Sequence, residues 1–94
     1  MVNYKLTFSG RFKKDFKKYK KQPRELKAIA EVIELLEQGA DAIPQTMKPH
    51  KLVGNYKGHW ECHIFPDLLL IWEQEEEPKE ITLIRLGSHS DLFK

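Results

Sequence analysis

Apolar and polar residues alternate from the start of the chain. Val2, Tyr4, Leu6 and Phe8 interleave with Asn3, Lys5 and Thr7, the period-2 pattern of a strand with one buried face. Ser9-Gly10 ends this strand, and Ser9 is a suitable N-cap for a helix that carries Phe12, Phe16 and Tyr19 on one stripe. Pro23 suits the first turn of a second helix, in which Leu26, Ile29, Ala30, Ile33 and Leu36 recur at helical spacing until Gly39. The short break between the helices predicts an antiparallel hairpin that must bury its apolar stripe against another layer.

The second half supplies that layer. After a loop containing Pro44 and Pro49, the stretch Leu52 to Asn55 is expected to be a strand, followed by a tight turn at Lys57-Gly58. From His59 to Ile64 alternation returns, with Trp60, Cys62 and Ile64 on one face and His59, Glu61 and His63 on the other. Leu68 to Trp72 is continuously apolar and fits a central strand covered on both faces. The glutamate-rich segment from Glu73 to Lys79 is too charged to bury, Ile81 to Leu86 is a further strand, and Gly87 releases a short C-terminal segment. These elements predict one α+β domain over residues 1–94: two helices on one face of a largely antiparallel sheet, the other face open for a site.

Length and composition narrow the classes. A chain of 94 residues supports a single small core. No apolar run approaches the roughly 20 residues needed to span a membrane, and no signal-peptide pattern opens the chain. The one cysteine, Cys62, excludes an internal disulfide, so a cytoplasmic setting is expected. Residues 1–27 hold ten Lys or Arg against Asp15 and Glu25. A block of that sign suits RNA phosphates or an acidic protein segment, or else is a solvated helix face.

The candidate chemistry lies late in the chain. His50 follows Pro49 in a loop, His63 faces outward on a strand, Asp67 follows Pro66, and His89 lies just beyond the last strand. Each alone is compatible with a solvent-facing polar residue or a turn cap. Arg85, between Ile84 and Leu86, must bring its guanidinium to an anion or to a carboxylate such as Asp67 or Glu61, because an unpaired buried charge is costly. No metal site is predicted, since Cys62 and His63 face opposite ways and no C-x-x-C or H-E-x-x-H spacing occurs. No G-x-S-x-G elbow or glycine-rich phosphate loop is present, and no cofactor is expected. What remains is metal-independent RNA cleavage. There the 2′-hydroxyl attacks phosphorus, a base removes its proton, an acid protonates the leaving oxygen and a cation stabilises the added charge.

The strings HKLVGNYKGHWECHIFPDLLLIW and IRLGSHSDLF resemble the YafQ branch of the RelE/ParE toxin superfamily, with its successive H-x-L-x-G-x-x-x-G, H-x-x-P-D and R-x-G-[ST]-H motifs and terminal L-F. The resemblance implies a RelE-like fold and a type II toxin that cuts mRNA in the A site of the 70S ribosome and is neutralised by a cognate antitoxin. Family members carry functional residues at the positions of His50, His63, Asp67, Arg85, His89 and Phe93. By that resemblance Arg85 stabilises the pentavalent phosphate and Phe93 positions a base. His89 is the general acid, with His50, His63 and Asp67 orienting or deprotonating the 2′-hydroxyl. Lys13, Lys14, Lys17, Lys18 and Lys51 are expected to meet ribosomal RNA. The branch is associated with AAA codons, but Leu68 stands where many members carry tryptophan, which leaves codon preference open and the acid/base set intact. His59 has no counterpart and is expected to be an exposed turn residue. Alternatives are a ParE-like gyrase inhibitor, which has no need of three histidines, and a non-catalytic binding module that uses only the basic helix.

Overall fold

A computed structural model describes residues 3–93. Five strands lie in the order β1-β5-β4-β3-β2: β1 Lys5–Phe8, β2 His50–Lys51, β3 Trp60–Phe65, β4 Leu68–Glu76 and β5 Lys79–Gly87. β1 pairs parallel with β5 and the other pairings are antiparallel. The α+β architecture agrees with the sequence pattern. Val2, expected to begin the first strand, lies outside the described residues.

Helices α1 (Gly10–Phe16) and α2 (Pro23–Leu36) cover one face of the sheet. Ser9 caps α1 by accepting the Phe12 N–H at 3.0 Å, and Pro23 opens α2, where its missing N–H costs nothing. The α-helical part of the first helix stops at Phe16, and a 3₁₀ turn carries the chain on to Tyr19. Phe12, Ile29, Val32 and Leu36 from the helices meet Cys62, Leu70, Trp72, Ile81 and Leu83 from the sheet, all of them buried. Trp60 and Trp72, directly opposite in register, stack with ring centroids 6.1 Å apart. Gly39 ends this layer at φ 90°, and a Cβ there would come within 2.7 Å of the Tyr4 ring.

The unbroken run Leu68–Trp72 is buried on both sides. Leu68, Leu70 and Trp72 face the helices, while Leu69 and Ile71 face the other way and pack with Leu92 of a short helix, α3 (His89–Leu92). This second face carries the site.

Two expectations need correction around β2. The stretch Leu52 to Asn55 is not a strand. Leu52 still bonds to the His59 carbonyl, but Gly54 at φ 79° bends the chain into a 3₁₀ turn and leaves Val53 86% exposed. The pairing residues are instead His50 and Lys51, so His50 sits on an edge strand and not in a loop. The expected turn at Lys57-Gly58 is present, with Gly58 at φ 86° and the His59 N–H bonded to the Tyr56 carbonyl.

Candidate active site

Register assembles the site. His50 pairs with Glu61, Glu61 with Ile71, and Ile71 with Arg85. Directly paired residues point to the same side of a sheet, so His50, Glu61 and Arg85 share one rung on the open face. The next rung holds His63, Leu69 and Gly87. α3 follows Gly87 and brings in His89. The three imidazoles form a row, with ring centroids 6.1 Å apart for His50 and His63 and 5.7 Å for His63 and His89.

Glu61 anchors one end of the row. Its Oε1 lies 3.2 Å from His50 Nε2 and 3.5 Å from His63 Nε2, and the residue is only 4% exposed. His50 Nδ1 donates to the Lys48 carbonyl at 2.6 Å. Lys48 presents its carbonyl from a left-handed conformation, φ 52° and ψ 56°, rare for a non-glycine residue and rarer still before proline.

Asp67 anchors the other end. Its Oδ1 accepts from the His89 backbone N–H at 2.9 Å and from His89 Nδ1 at 2.8 Å. The backbone bond and then the ring bond hold the Asp67 carboxyl below its ordinary value. They also fix the His89 ring so that Nε2 is left for chemistry. A capping box between Ser88 and Asp91 holds α3 in place.

Arg85 has a different partner from the two expected. Neither Asp67 nor Glu61 pairs with it. Asp15 of α1 takes the Nε–H at 2.8 Å and an Nη2–H at 3.2 Å, and its Oδ2 also accepts the Leu86 N–H at 2.9 Å. The physical reason is an edge and a bulge. β1 ends at Phe8, so the following part of β5 has no neighbouring strand, and α1 runs along it with Asp15 facing its exposed donors. Between the pairs Ile71–Arg85 and Trp72–Leu83, Ile84 is an extra residue on β5, which turns Arg85 onto the open face. The Asp15 bonds foremost, opposed by burial and helped by the Tyr56 hydroxyl, hold the guanidinium above its ordinary value.

Phe93 stands edge-on to Tyr56 at 5.8 Å between centroids and lies 6.3 Å from the His89 ring, so it closes the row. Lys13, Lys14, Lys17 and Lys18 are exposed along α1 and the turn after it, and Lys51 is exposed on β2 with its Nζ 5.7 Å from the Trp60 ring. His59 is not an exposed turn residue. Its side chain is 24% exposed and its Nε2 lies 3.3 Å from Glu73. Cys62 faces the helical core, where burial pushes its thiol up to about 12, an unreactive state. Leu68 is likewise buried in that core. No group of three or more His, Cys, Asp or Glu among the described residues is placed to hold a metal ion.

Three members of the site were not singled out as site residues from the sequence: Asp15, Glu61 and Tyr56. Glu61 alone carried a local signal, two residues before His63 on the outward side of the same strand. The contacts of Asp15 and Tyr56 depend on where α1 and the turn before β3 dock, which no local pattern specifies.

Residues 4–94 match the family described as the bacterial toxin of type II toxin-antitoxin system, YafQ. The mRNA interferase toxin YafQ of Escherichia coli K12 is 29% identical over 93 residues, covering 99% of each chain. The structure of the E. coli DinJ-YafQ toxin-antitoxin complex contains a chain superposing with a TM-score of 0.85 at 28% identity, over 99% of this chain and 100% of that one. A metal-bound toxin from Helicobacter pylori superposes with a TM-score of 0.81 at 36% identity, over 96% of this chain and 99% of that one. No helix among the described residues is long and apolar enough to cross a membrane. With the fold, the motif order and the near-complete match in agreement, the chain belongs to the YafQ family of type II toxin-antitoxin toxins.

Proposed function

We propose that this YafQ-family toxin, an mRNA endoribonuclease, cuts mRNA on the translating ribosome in the cytoplasm by metal-independent attack of a 2′-hydroxyl on the neighbouring phosphorus. The observation that carries this reading is the row of three imidazoles with a carboxylate at each end. In-line displacement needs a base on one side of the phosphorus and an acid on the other, and adjacent rings about 6 Å apart can flank one phosphate group.

His89 is the general acid. Asp67 orients it, and its bonds to His89 suit a positioning carboxylate better than a free base. His50 and His63, sharing Glu61, form the base side. Arg85 commits two of its N–H groups to Asp15. N–H groups beyond these and beyond the Tyr56 contact are offered to the phosphate. Phe93 stacks on a base beside His89. Lys13, Lys14, Lys17, Lys18 and Lys51 contact ribosomal RNA through its phosphates, a sequence-independent attraction that weakens with salt.

The cognate antitoxin is an acidic segment that covers the basic helix. An apolar hollow lined by Phe8, Phe12, Phe16 and Ile33 lies among Lys13, Lys17 and Lys20, a surface suited to an apolar stripe with acidic flanks. Reversing three of the α1 lysine charges tests the ribosome contact. Ribosome binding should weaken while the unfolding midpoint holds, and unchanged binding at physiological salt overturns it. For the catalytic reading, His63→Ala and His89→Ala should each abolish growth arrest and mRNA cutting with the fold retained. Full growth arrest by both variants would indicate a non-catalytic module.

A further inference from the structure

Beside His63, at the end of β3, lies a groove of about 470 Å³ whose lining includes Met47, Lys48, His63 and Phe65. The sequence patterns gave Met47, Lys48 and Phe65 no role, and the acid/base set does not use their side chains. The groove is continuous with the catalytic row through His63. Phe65 contributes an aromatic ring to its lining, Met47 a thioether, and exposed Lys48 a cation.

Phe65 is also built in from behind. The Arg24 guanidinium lies 4.2 Å from its ring centroid. Phe65 and Arg24 together line a second hollow on the side of Tyr19 and Asp67, whereas Arg24 takes no part in the first groove. The ring thus carries a cation over it on the helical side and also lines the groove beside His63. A half-buried phenyl with a cation over it and a cleft beside it offers an aromatic surface for stacking. The chemical group that fits an aromatic face, an apolar wall and a nearby cation at once is a nucleobase with its phosphate.

We infer that the groove between Met47, Lys48 and Phe65 holds the base of the nucleotide adjoining the scissile phosphate, stacked on Phe65 with its own phosphate near Lys48. This subsite rests on the reading of the histidine row as an RNA-cutting centre. It gives the toxin a second base contact, on the His63 side, opposite the one assigned to Phe93 on the His89 side. Phe65 is then a positioning and specificity residue.

The competing role for Phe65 is packing alone, since it touches the edge of the helical core. Leucine can replace an apolar filler but cannot stack, whereas tyrosine and tryptophan can. The experiment measures single-turnover cutting of mRNA on programmed ribosomes by wild type, Phe65→Leu, Phe65→Tyr and Phe65→Trp, with unfolding midpoints recorded for each. Phe65→Leu should weaken half-saturation by about tenfold and relax the preference for the base beside the cut, while Tyr and Trp stay near wild type, as expected for loss of one stacked base. In parallel, a short single-stranded oligonucleotide, 2′-deoxy at the position flanking the cut, is titrated into the intact protein. Upfield NMR shifts are expected at the Met47 methyl and the Phe65 ring protons, and Phe65→Leu should remove the Met47 shift. Wild-type behaviour of Phe65→Leu in cutting, or no shift at Met47 and Phe65, overturns the subsite. Shifts at these residues in a protein that cuts no mRNA would overturn the catalytic reading while leaving the base-binding groove in place.

Discussion

Asp67 Oδ1 accepts two hydrogen bonds from one residue, His89: the backbone N–H at 2.9 Å and the ring Nδ1–H at 2.8 Å. The first ties the turn between β3 and β4 to the start of α3, and the second sets the rotation and tautomer of the ring. A single oxygen therefore couples the docking of the last helix to the direction of the imidazole it carries. Glu61 does the corresponding job at the other end of the row, from a buried position.

If His89 is the acid and Asp67 its orienting partner, their substitutions should differ in degree. His89→Ala should lower the cutting rate by about 10²- to 10⁴-fold, the usual worth of a general acid. Asp67→Asn keeps an acceptor for the backbone N–H and should cost about tenfold, a fraction of that worth. Because the Asp67 carboxyl is held below its ordinary value, its contact persists above that value and is lost only as pH falls through the lowered one. The acid limb of the rate in the wild type should therefore remain unchanged in position in Asp67→Asn, as single-turnover rates against pH will show.

Arg85 and Asp15 are tied to stability as well as to the site. Both are almost fully buried. Removing either partner leaves an uncompensated charge, with a cost of about 3–5 kcal/mol. Asp15→Ala also strips the Leu86 N–H of its acceptor. Urea unfolding should show Arg85→Ala and Asp15→Ala far less stable than wild type. Because of the Asp15 contact, lost activity in Arg85→Ala would combine lost chemistry with lost stability. His89→Ala, with its exposed side chain, is the cleaner test of chemistry.

Lys48 holds a left-handed backbone so that its carbonyl meets His50 Nδ1. A residue with a Cβ costs about 1–2 kcal/mol in that conformation relative to glycine. Lys48→Gly should consequently be more stable than Lys48→Ala by about 1 kcal/mol. Equal unfolding free energies for the two would show that the chain relaxes out of this conformation.

At the opposite end of the sheet, the Tyr4 hydroxyl donates to Glu76 at 2.6 Å, with Gln74 and Lys79 adding further bonds. The tyrosine bond first, then those of Gln74 and Lys79, pull the Glu76 carboxyl from 4.5 down to about 2. A depressed carboxyl stabilises the fold fully above its unfolded value and loses that contribution as pH falls toward the folded one. Tyr4→Phe should therefore lower the unfolding midpoint at neutral pH, and the difference from wild type should shrink as the pH is taken toward about 2.

Much of this architecture was legible because it is local. Alternation put Glu61 and His63 on the outward face of β3, the unbroken run to Trp72 marked the central strand, and Ser9 and Pro23 marked the starts of the two helices. The parts that were not legible depend on long-range register. The bulge at Ile84 and the early end of β1 together decide that Arg85 meets Asp15, 70 residues away in sequence. Two positive-φ residues, Lys48 and Gly54, decide that the edge strand is His50–Lys51 and not the apolar-looking Leu52–Asn55. Neither leaves a periodic trace in the chain.

If the row from His50 to His89 drives attack by the 2′-hydroxyl, the chemistry of the cut ends will show it. Purified protein is incubated with ribosomes programmed with a defined mRNA, without added metal-dependent nuclease, and the termini of both fragments are identified. The upstream fragment should carry a 2′,3′-cyclic phosphate and the downstream one a free 5′-hydroxyl, with His89→Ala yielding both far more slowly. A 3′-hydroxyl paired with a 5′-phosphate, or intact mRNA with the wild-type protein, would contradict this mechanism.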